Sequence, residues 1–294
     1  MLTRKNFIKS AGLLSAAAIL PKMTFSSKNS FEENTKIIGK IKPKSLKKND
    51  TIGLITPAGV ITEEQLKETV EKIEKLGFKT YYLPSVLSQY GYFAGTDQER
   101  AKELMHMFTN NEVDGILCVR GGYGGIRMMN MLDYGLIKQN PKVLIGYSDV
   151  TALLNSIYSQ TGLVTFHGPV GVSDFNDFSV GSLDNVIFDP KKRYKYPYLR
   201  EEGTEENPEY DKYTINKGKA QGELVGGNLS VLASMTGSAF EVDYKDKIVF
   251  LEDIDEKVYA LDRWFTILLN GTNLKEAAGI VLGTFDNCSK NDEI

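Results

Sequence analysis

Ser148 occupies the place in this sequence best suited to nucleophilic chemistry. The apolar run 143–145 is typical of a buried strand, and the apolar spacing in 150–158 predicts a helix directly after it. A serine in such a tight turn presents its hydroxyl at the sheet edge, where free amides of the helix N-terminus can receive an oxyanion. Val150 stands where a GxSxG turn has its second glycine, and a plain N-cap role for Ser148 or Asp149 is the alternative.

A glycine-rich segment, residues 120–125, follows the preceding predicted strand and is called the glycine loop below. Its backbone N–H groups can point into a site, as a second oxyanion donor or as a phosphate cradle. The spacing matches neither GxGxxG nor a P-loop, so a plain tight turn is also possible. Arg120 opens the loop and could bind a substrate carboxylate with its guanidinium fork, or form a surface ion pair.

Acidic residues cluster at 252–256, directly after the apolar run 248–251. An acid at a strand end can orient a histidine and stabilise it once protonated, although clustered acids in a turn are often only solvated. The sequence contains two histidines. His106 lies off the apolar face of a predicted helix, which indicates a surface position. His167 follows a predicted strand, which favours a place in the lining of a site over the role of general base.

The elements that must position these residues alternate between strands and helices from 51 to 166. This order predicts an α/β fold with a parallel sheet and helices on both faces. Ligands bind at the carboxyl ends of such strands, where Ser148, Arg120 and His167 are expected. We predict an N-terminal domain at 47–170 carrying the nucleophile, a linker at 171–213, and a smaller C-terminal β/α domain at 214–294.

The first 26 residues resemble an export signal. Arg4, Lys5 and Lys9 precede an apolar run, 10–20, that is too short to span a bilayer. The order of residues is similar to a twin-arginine signal in which lysine replaces the second arginine, and a lone amphipathic helix is the alternative. We therefore expect a polar tether at 27–46 and a periplasmic or secreted protein without a membrane span.

Composition excludes several other classes of protein. The formal net charge is −3, so the chain has no excess of cations with which to bind nucleic acid. The two cysteines, Cys118 and Cys288, form no CxxC motif and no Cys/His cluster of zinc-binding spacing. We expect neither a disulfide framework nor a metal, and no cofactor.

Six segments in order resemble the LD-carboxypeptidase family of serine peptidases over about residues 46–294: TPAG, RGGYGG, GYSDVTALL, FHGP, GGNLSVLASMTG and VFLEDIDE. The resemblance implies a metal-free Ser-Glu-His hydrolase that releases terminal D-alanine from muropeptide tetrapeptides. It implies that Ser148 is the nucleophile and Glu252 the acid, with the amides of Gly122 and Asp149 as oxyanion donors. Asn228 falls in a stretch that adjoins the family's site, but no catalytic role transfers to it.

The family's histidine lies in a C-terminal glycine–histidine stretch that this sequence does not contain. We therefore expect a second domain that is truncated, or a degenerate member without activity. Two other functions remain open: a peptidase similar to the microcin C immunity proteins, which cut a peptidyl-nucleotide amide, and a non-catalytic muropeptide-binding protein. An aromatic platform formed by Tyr194, Tyr196 and Tyr198 would favour the nucleotide substrate. A homodimer is possible.

Overall fold

A computed structural model describes residues 39–195 and 213–288. The predicted signal at 1–26 and most of the predicted tether at 27–46 lie outside these residues. Two parallel sheets, one from each predicted domain, belong to the same compact unit of the chain. No helix within the described ranges is long and apolar enough to cross a membrane.

The first sheet carries the predicted nucleophile. Its neighbouring strands all pair in parallel, in the order β2-β1-β3-β4-β5. The predicted parallel sheet is therefore confirmed. In chain order the strands are β1 (Thr51–Ile55), β2 (Lys79–Tyr81), β3 (Gly115–Cys118), β4 (Val143–Gly146) and β5 (Phe166–His167).

Helices cover both faces of this sheet, as the alternating pattern predicts. One apolar cluster joins the sheet to the helices at 97–109, 134–139 and 151–161. A second cluster on the other face joins it to the helices at 63–75 and 177–183. The helices at 63–75 and 97–109 both begin at a capping box, which satisfies amides that the first turn of a helix leaves unpaired. The helices are α1 (Glu63–Lys75), α2 (Asp97–Thr109), α3 (Gly125–Met128), α4 (Tyr134–Gln139), α5 (Thr151–Thr161) and α6 (Asp177–Leu183).

Short helices account for most differences from the sequence-based elements. The helix expected after the glycine loop is only four residues long and continues as a 3-10 turn, Met129–Met131. The six-residue helix α4 and the seven-residue helix α6 are not evident from apolar spacing, because each covers two turns or fewer. Helix α6 and the π-turn after it lie within the predicted linker 171–213, and Leu183 and Ile187 there are buried in the core.

The second sheet contains three parallel strands in the order β6-β7-β8. These are β6 (Leu224–Asn228), β7 (Ile248–Ile254) and β8 (Gly279–Asp286), with helices α7 (Leu229–Ser234) and α8 (Val258–Gly271) between them. The predicted smaller β/α domain is confirmed. Strand β7 continues past its expected end at residue 251, so Glu252 lies inside the strand rather than in a turn.

The carboxylate of Asp253 explains why acidic residues continue this strand. It is 3% exposed and accepts hydrogen bonds from Asn228 Nδ2 at 2.8 Å and from the amide of Ser230 at 2.9 Å. Glu252 lies near the same cluster, because the charge of Asp253 and the side chain of Asn228 both act on its carboxyl group. The expected solvated turn is therefore not what the structure contains.

Candidate active site

Ser148 lies in a 3-10 turn, Ser148–Val150, between β4 and α5. Its φ is +60°, in the left-handed region that costs a non-glycine residue about 1–3 kcal/mol. A serine held in this conformation between a strand and a helix is the geometry of a nucleophile elbow. The N-cap positions of the turn and of α5 are Tyr147 and Val150, and no side chain caps either segment. The alternative N-cap role for Ser148 or Asp149 is therefore wrong.

Gly146 explains how the turn tolerates Val150 in place of a second glycine. A Cβ added to Gly146 would lie 2.6 Å from Val150 Cγ1, closer than two carbon atoms can approach. Gly146, which has no side chain, thus leaves the space that the Val150 side chain fills. The departure from GxSxG leaves the strand-to-helix turn intact.

The glycine loop packs directly against the nucleophile. A Cβ on Gly121 would lie 3.2 Å from Ser148 Oγ, and the Gly59 amide donates to the Gly121 carbonyl at 3.0 Å. Gly122 has φ +121°, which only glycine adopts readily. The backbone amides of Gly122 and Asp149 donate to no acceptor within the described residues. These free N–H groups are available as the predicted oxyanion donors.

Arg120 is exposed and lies at the start of the glycine loop. Its guanidinium donates one hydrogen bond, to the carbonyl of Val60 at 2.9 Å, and forms no ion pair with a carboxylate among the described residues. The alternative surface ion pair is thus not found there. The remaining N–H donors of the fork can bind an anionic group of a ligand.

His167 joins the two sheets at the site. Strand β5 pairs with β4 so that His167 lies opposite Gly146, two residues before the nucleophile. Its Nε2 atom is 3.8 Å from Glu252 Oε1, with side chains 27% and 16% exposed. Partial burial lowers the pKa of His167 to about 4. His167 therefore lies beside Glu252, and its place in the lining of the active site stays a prediction.

Glu252 is held in a poorly solvated place. Burial, and then the negative charge of Asp253, raise the pKa of Glu252 to about 7. Its Oε1 atom is buried and accepts no hydrogen bond from a described residue. An unpaired carboxylate oxygen of this kind is costly, and it is ready to accept a hydrogen bond from an imidazole or a ligand.

Asn228 and Thr151 bring the second sheet onto the helix that follows the nucleophile. The Asn228 amide donates to Thr151 Oγ1 at 3.1 Å, and Asn155 Nδ2 donates to the Gly226 carbonyl at 3.0 Å. In the sheet, Asn228 pairs with Glu252. Glu252 therefore lies on the strand next to Asn228, whose amide is hydrogen-bonded to Thr151 in the first turn of α5. Composition and spacing carry no signal for these contacts between distant segments.

His106 takes no part in this arrangement. Its Nε2 lies 3.0 Å from the Tyr81 hydroxyl, and its ring is half-buried against the tyrosine. The expected solvated surface position is corrected to a partnered one, because α2 packs its C-terminal turn beside β2. Cys118 and Cys288 are both free. Within 39–195 and 213–288, no three His, Cys, Asp or Glu residues are grouped as a metal site.

Comparison with known proteins identifies the family. Models of the LD-carboxypeptidase N-terminal and C-terminal domains match residues 52–168 and 221–294. The chain is 41% identical over 247 residues to the probable murein peptide carboxypeptidase of Bacillus subtilis, covering 84% of this chain and 76% of that protein. This chain belongs to the LD-carboxypeptidase family. By that membership it is a serine-type hydrolase.

Solved structures of two similar proteins share the fold of this chain. MccF in complex with glutamyl sulfamoyl guanosine aligns with a TM-score of 0.73 at 26% identity, over 86% of this chain and 83% of that chain. A muramoyltetrapeptide carboxypeptidase from Oxalobacter formigenes aligns with a TM-score of 0.68 at 26% identity, over 82% and 79% of the two chains.

The LD-carboxypeptidase C-terminal domain model also corrects one expectation. It matches residues 221–294, so the comparison does not support a truncated second domain. The second sheet, β6 to β8, falls within this match. The expectation arose from a missing glycine–histidine stretch, which is a single motif and not a domain.

Proposed function

We propose that this chain is a serine carboxypeptidase that cleaves the LD-peptide bond and releases terminal D-alanine from muropeptide tetrapeptides. The observation that carries the proposal is the left-handed Ser148 turn, with Gly121 of the glycine loop packed against its hydroxyl. Similarity to the murein peptide carboxypeptidase of Bacillus subtilis supports this substrate class.

The proposed reaction proceeds through an acyl-enzyme. Ser148 Oγ attacks the carbonyl before the terminal D-alanine while a general base takes its proton. The amides of Gly122 and Asp149 stabilise the oxyanion of the tetrahedral intermediate. The proton passes to the amine of the leaving D-alanine, and water then hydrolyses the ester. Arg120 binds the terminal carboxylate of the substrate.

Glu252 serves in this proposal as the group that orients an imidazole and stabilises it once protonated. His167 is the imidazole that the described residues bring to Glu252, at 3.8 Å. A base with a pKa near 4 accepts a proton weakly at neutral pH, since proton transfer is most efficient when the pKa lies near the working pH. We therefore propose that His167 lines the site beside Glu252.

D-Alanine release from a muramyl tetrapeptide tests the proposal. Ser148→Ala should abolish release and retain a native circular dichroism spectrum, because one half-buried hydroxyl contributes little to stability. Activity should survive a strong chelator, since the proposed chemistry uses no metal. Turnover by Ser148→Ala, or zinc-dependent recovery after chelation, would contradict the serine mechanism.

A peptidyl-nucleotide peptidase is the second candidate, favoured by the similarity to MccF. Tyr196 and Tyr198 of the expected platform lie outside the described residues. A different aromatic pair joins Tyr123 of the glycine loop to Tyr92; the two side chains are 49% and 62% exposed, with ring centroids 6.3 Å apart. Their faces can stack on a nucleobase. Faster cleavage of a peptidyl-nucleotide than of the tetrapeptide, reduced by Tyr92→Ala, would select this function.

A non-catalytic muropeptide-binding protein is the third candidate. Tetrapeptide binding without D-alanine release would identify a binding protein. We propose from residues 1–26 that the protein is periplasmic or secreted, which a fusion to an export reporter tests. A homodimer is proposed from sequence alone, and sedimentation tests it.

A further inference from the structure

The carboxylate of Asp149 is hydrogen-bonded to the glycine loop. The residue is 4% exposed. Its Oδ1 accepts a hydrogen bond from the Gly124 amide at 3.2 Å, and its Oδ2 accepts one from the Gly125 amide at 2.7 Å. The residue directly after Ser148 therefore binds two amides of the glycine loop.

This carboxylate is retained in an unfavourable environment. Burial raises the pKa of Asp149, while the amides of Gly125 and Gly124 and the charge of Arg100 act in the opposite direction. A buried carboxylate is costly unless its oxygens are hydrogen-bonded. The two glycine amides provide that compensation, so the loop and the carboxylate stabilise each other's positions.

Arg100 packs against Gly124 of the glycine loop. It is 1% exposed and donates hydrogen bonds to the carbonyls of Pro57 and Gly95. A Cβ on Gly124 would lie 2.6 Å from an Arg100 guanidinium nitrogen, and a Cβ on Gly125 would lie 2.9 Å from Asp149 Oδ2. The two glycines are thus packed between a buried cation and a buried anion.

We propose that the Asp149 side chain is a positioning residue that anchors the glycine loop, so that the Gly122 amide is fixed beside Ser148. The inference rests on the proposed function, since it assigns Gly122 as an oxyanion donor. Asp149 then acts twice: its amide stabilises the oxyanion, and its carboxylate fixes the second donor. Preorganised donors are effective because they need no reorganisation during the reaction.

Substitution of Asp149 should lower the rate without weakening substrate binding. Asp149→Ala removes both acceptors, and we expect kcat to fall about 10²- to 10³-fold with KM nearly unchanged, the loss typical of a displaced oxyanion donor. In Asp149→Asn one oxygen becomes an NH₂ donor facing a glycine amide, so its loss should be intermediate. The rate at which a fluorophosphonate probe labels Ser148 should fall in parallel.

The matched control is Asp114→Asn. The Asp114 carboxylate also accepts a backbone amide, that of Thr51 at 2.9 Å, but at the opposite end of β1. Its kcat and labelling rate should match those of the unaltered protein. A merely structural role for Asp149 predicts lower thermal stability in both variants with normal kcat, and that result would overturn the proposal.

Gly125→Ala tests the anchor without removing the carboxylate. The new methyl group would press on Asp149 Oδ2, and we expect kcat to fall roughly tenfold or more. Gly135→Ala is its control, because a Cβ at this exposed position of α4 also meets a carboxylate oxygen, Asp133 Oδ1 at 3.1 Å, that does not bind the glycine loop. Equal activity of the two variants would contradict the anchor. If the unaltered chain releases no D-alanine, the proposed function fails, while the labelling rates still decide the role of Asp149.

Discussion

Nε2 of His167 lies 3.8 Å from Oε1 of Glu252, although the two residues come from different sheets. Desolvation in this place has opposite effects on the two groups, because it disfavours whichever form is charged. The pKa of His167 is lowered to about 4, and that of Glu252 is raised to about 7. Both side chains are therefore largely neutral near pH 6. A substitution of each residue tests this arrangement.

Glu252→Gln should stabilise the protein at alkaline pH while abolishing activity. The folded pKa of Glu252 is raised from 4.5 to about 7, so the folded chain binds more protons than the unfolded chain in this window. Stability is therefore lost as pH rises from about 4.5 to 7, and the amide removes this loss. We expect a gain of about 1–3 kcal/mol at pH 8, after allowance for partial solvent screening.

Urea denaturation of both proteins at pH 4 and pH 8 measures this gain. It should vanish at pH 4, where the carboxyl is protonated in both the folded and unfolded chains. Glu74→Gln, at an exposed glutamate of α1, is the control and should leave the difference between the two pH values unchanged. A Glu252→Gln variant less stable than the unaltered protein at pH 8 would contradict the raised pKa.

His167→Ala should reduce kcat/KM by about 10- to 100-fold, because it removes the imidazole beside Glu252 without removing the nucleophile. Steady-state kinetics beside Ser148→Ala check this. A loss as complete as that of Ser148→Ala would instead make His167 the general base.

Arg120→Gln should raise KM for tetrapeptides by about tenfold, since a charge-assisted contact to the terminal carboxylate contributes about 1.5–3 kcal/mol. Arg120→Lys should recover only part of this, because an ammonium cannot bind a carboxylate as a fork. A tetrapeptide with an amidated C-terminus should not distinguish Arg120→Gln from the unaltered enzyme. Arg263→Gln, at an exposed arginine of α8, is the control. Unchanged KM in Arg120→Gln would remove this assignment.

Gly146→Ala should destabilise the protein by about 1–3 kcal/mol, because its methyl group would overlap Val150 in a packed turn. Val150→Gly should restore much of the loss when combined with it, since the two sites are in contact and their effects are not additive. Thermal melts of the four proteins measure this. Gly181→Ala, where a Cβ meets nothing within 4 Å, should cost no stability. Strictly additive effects would show that the contact is not the cause.

The sequence predicted those features that depend on local pattern. The strand 143–146 and the helix after it place Ser148 correctly, because apolar spacing is a property of neighbouring residues. Local pattern could not predict the partners of Asp149, because its carboxylate accepts hydrogen bonds from the distant amides of Gly124 and Gly125. The strand position of Glu252 was also missed, because Asp253 is satisfied by Asn228 and Ser230 from another element.

The left-handed backbone of Ser148 has a consequence for the history of this position. Glycine or asparagine would adopt the same conformation at lower cost, so serine there is retained against a preference for folding. In a library of variants selected only for soluble expression, residue 148 should drift towards those two amino acids. In a library selected for hydrolysis it should not change. The divergence between the two selections would mark this turn without any knowledge of the substrate.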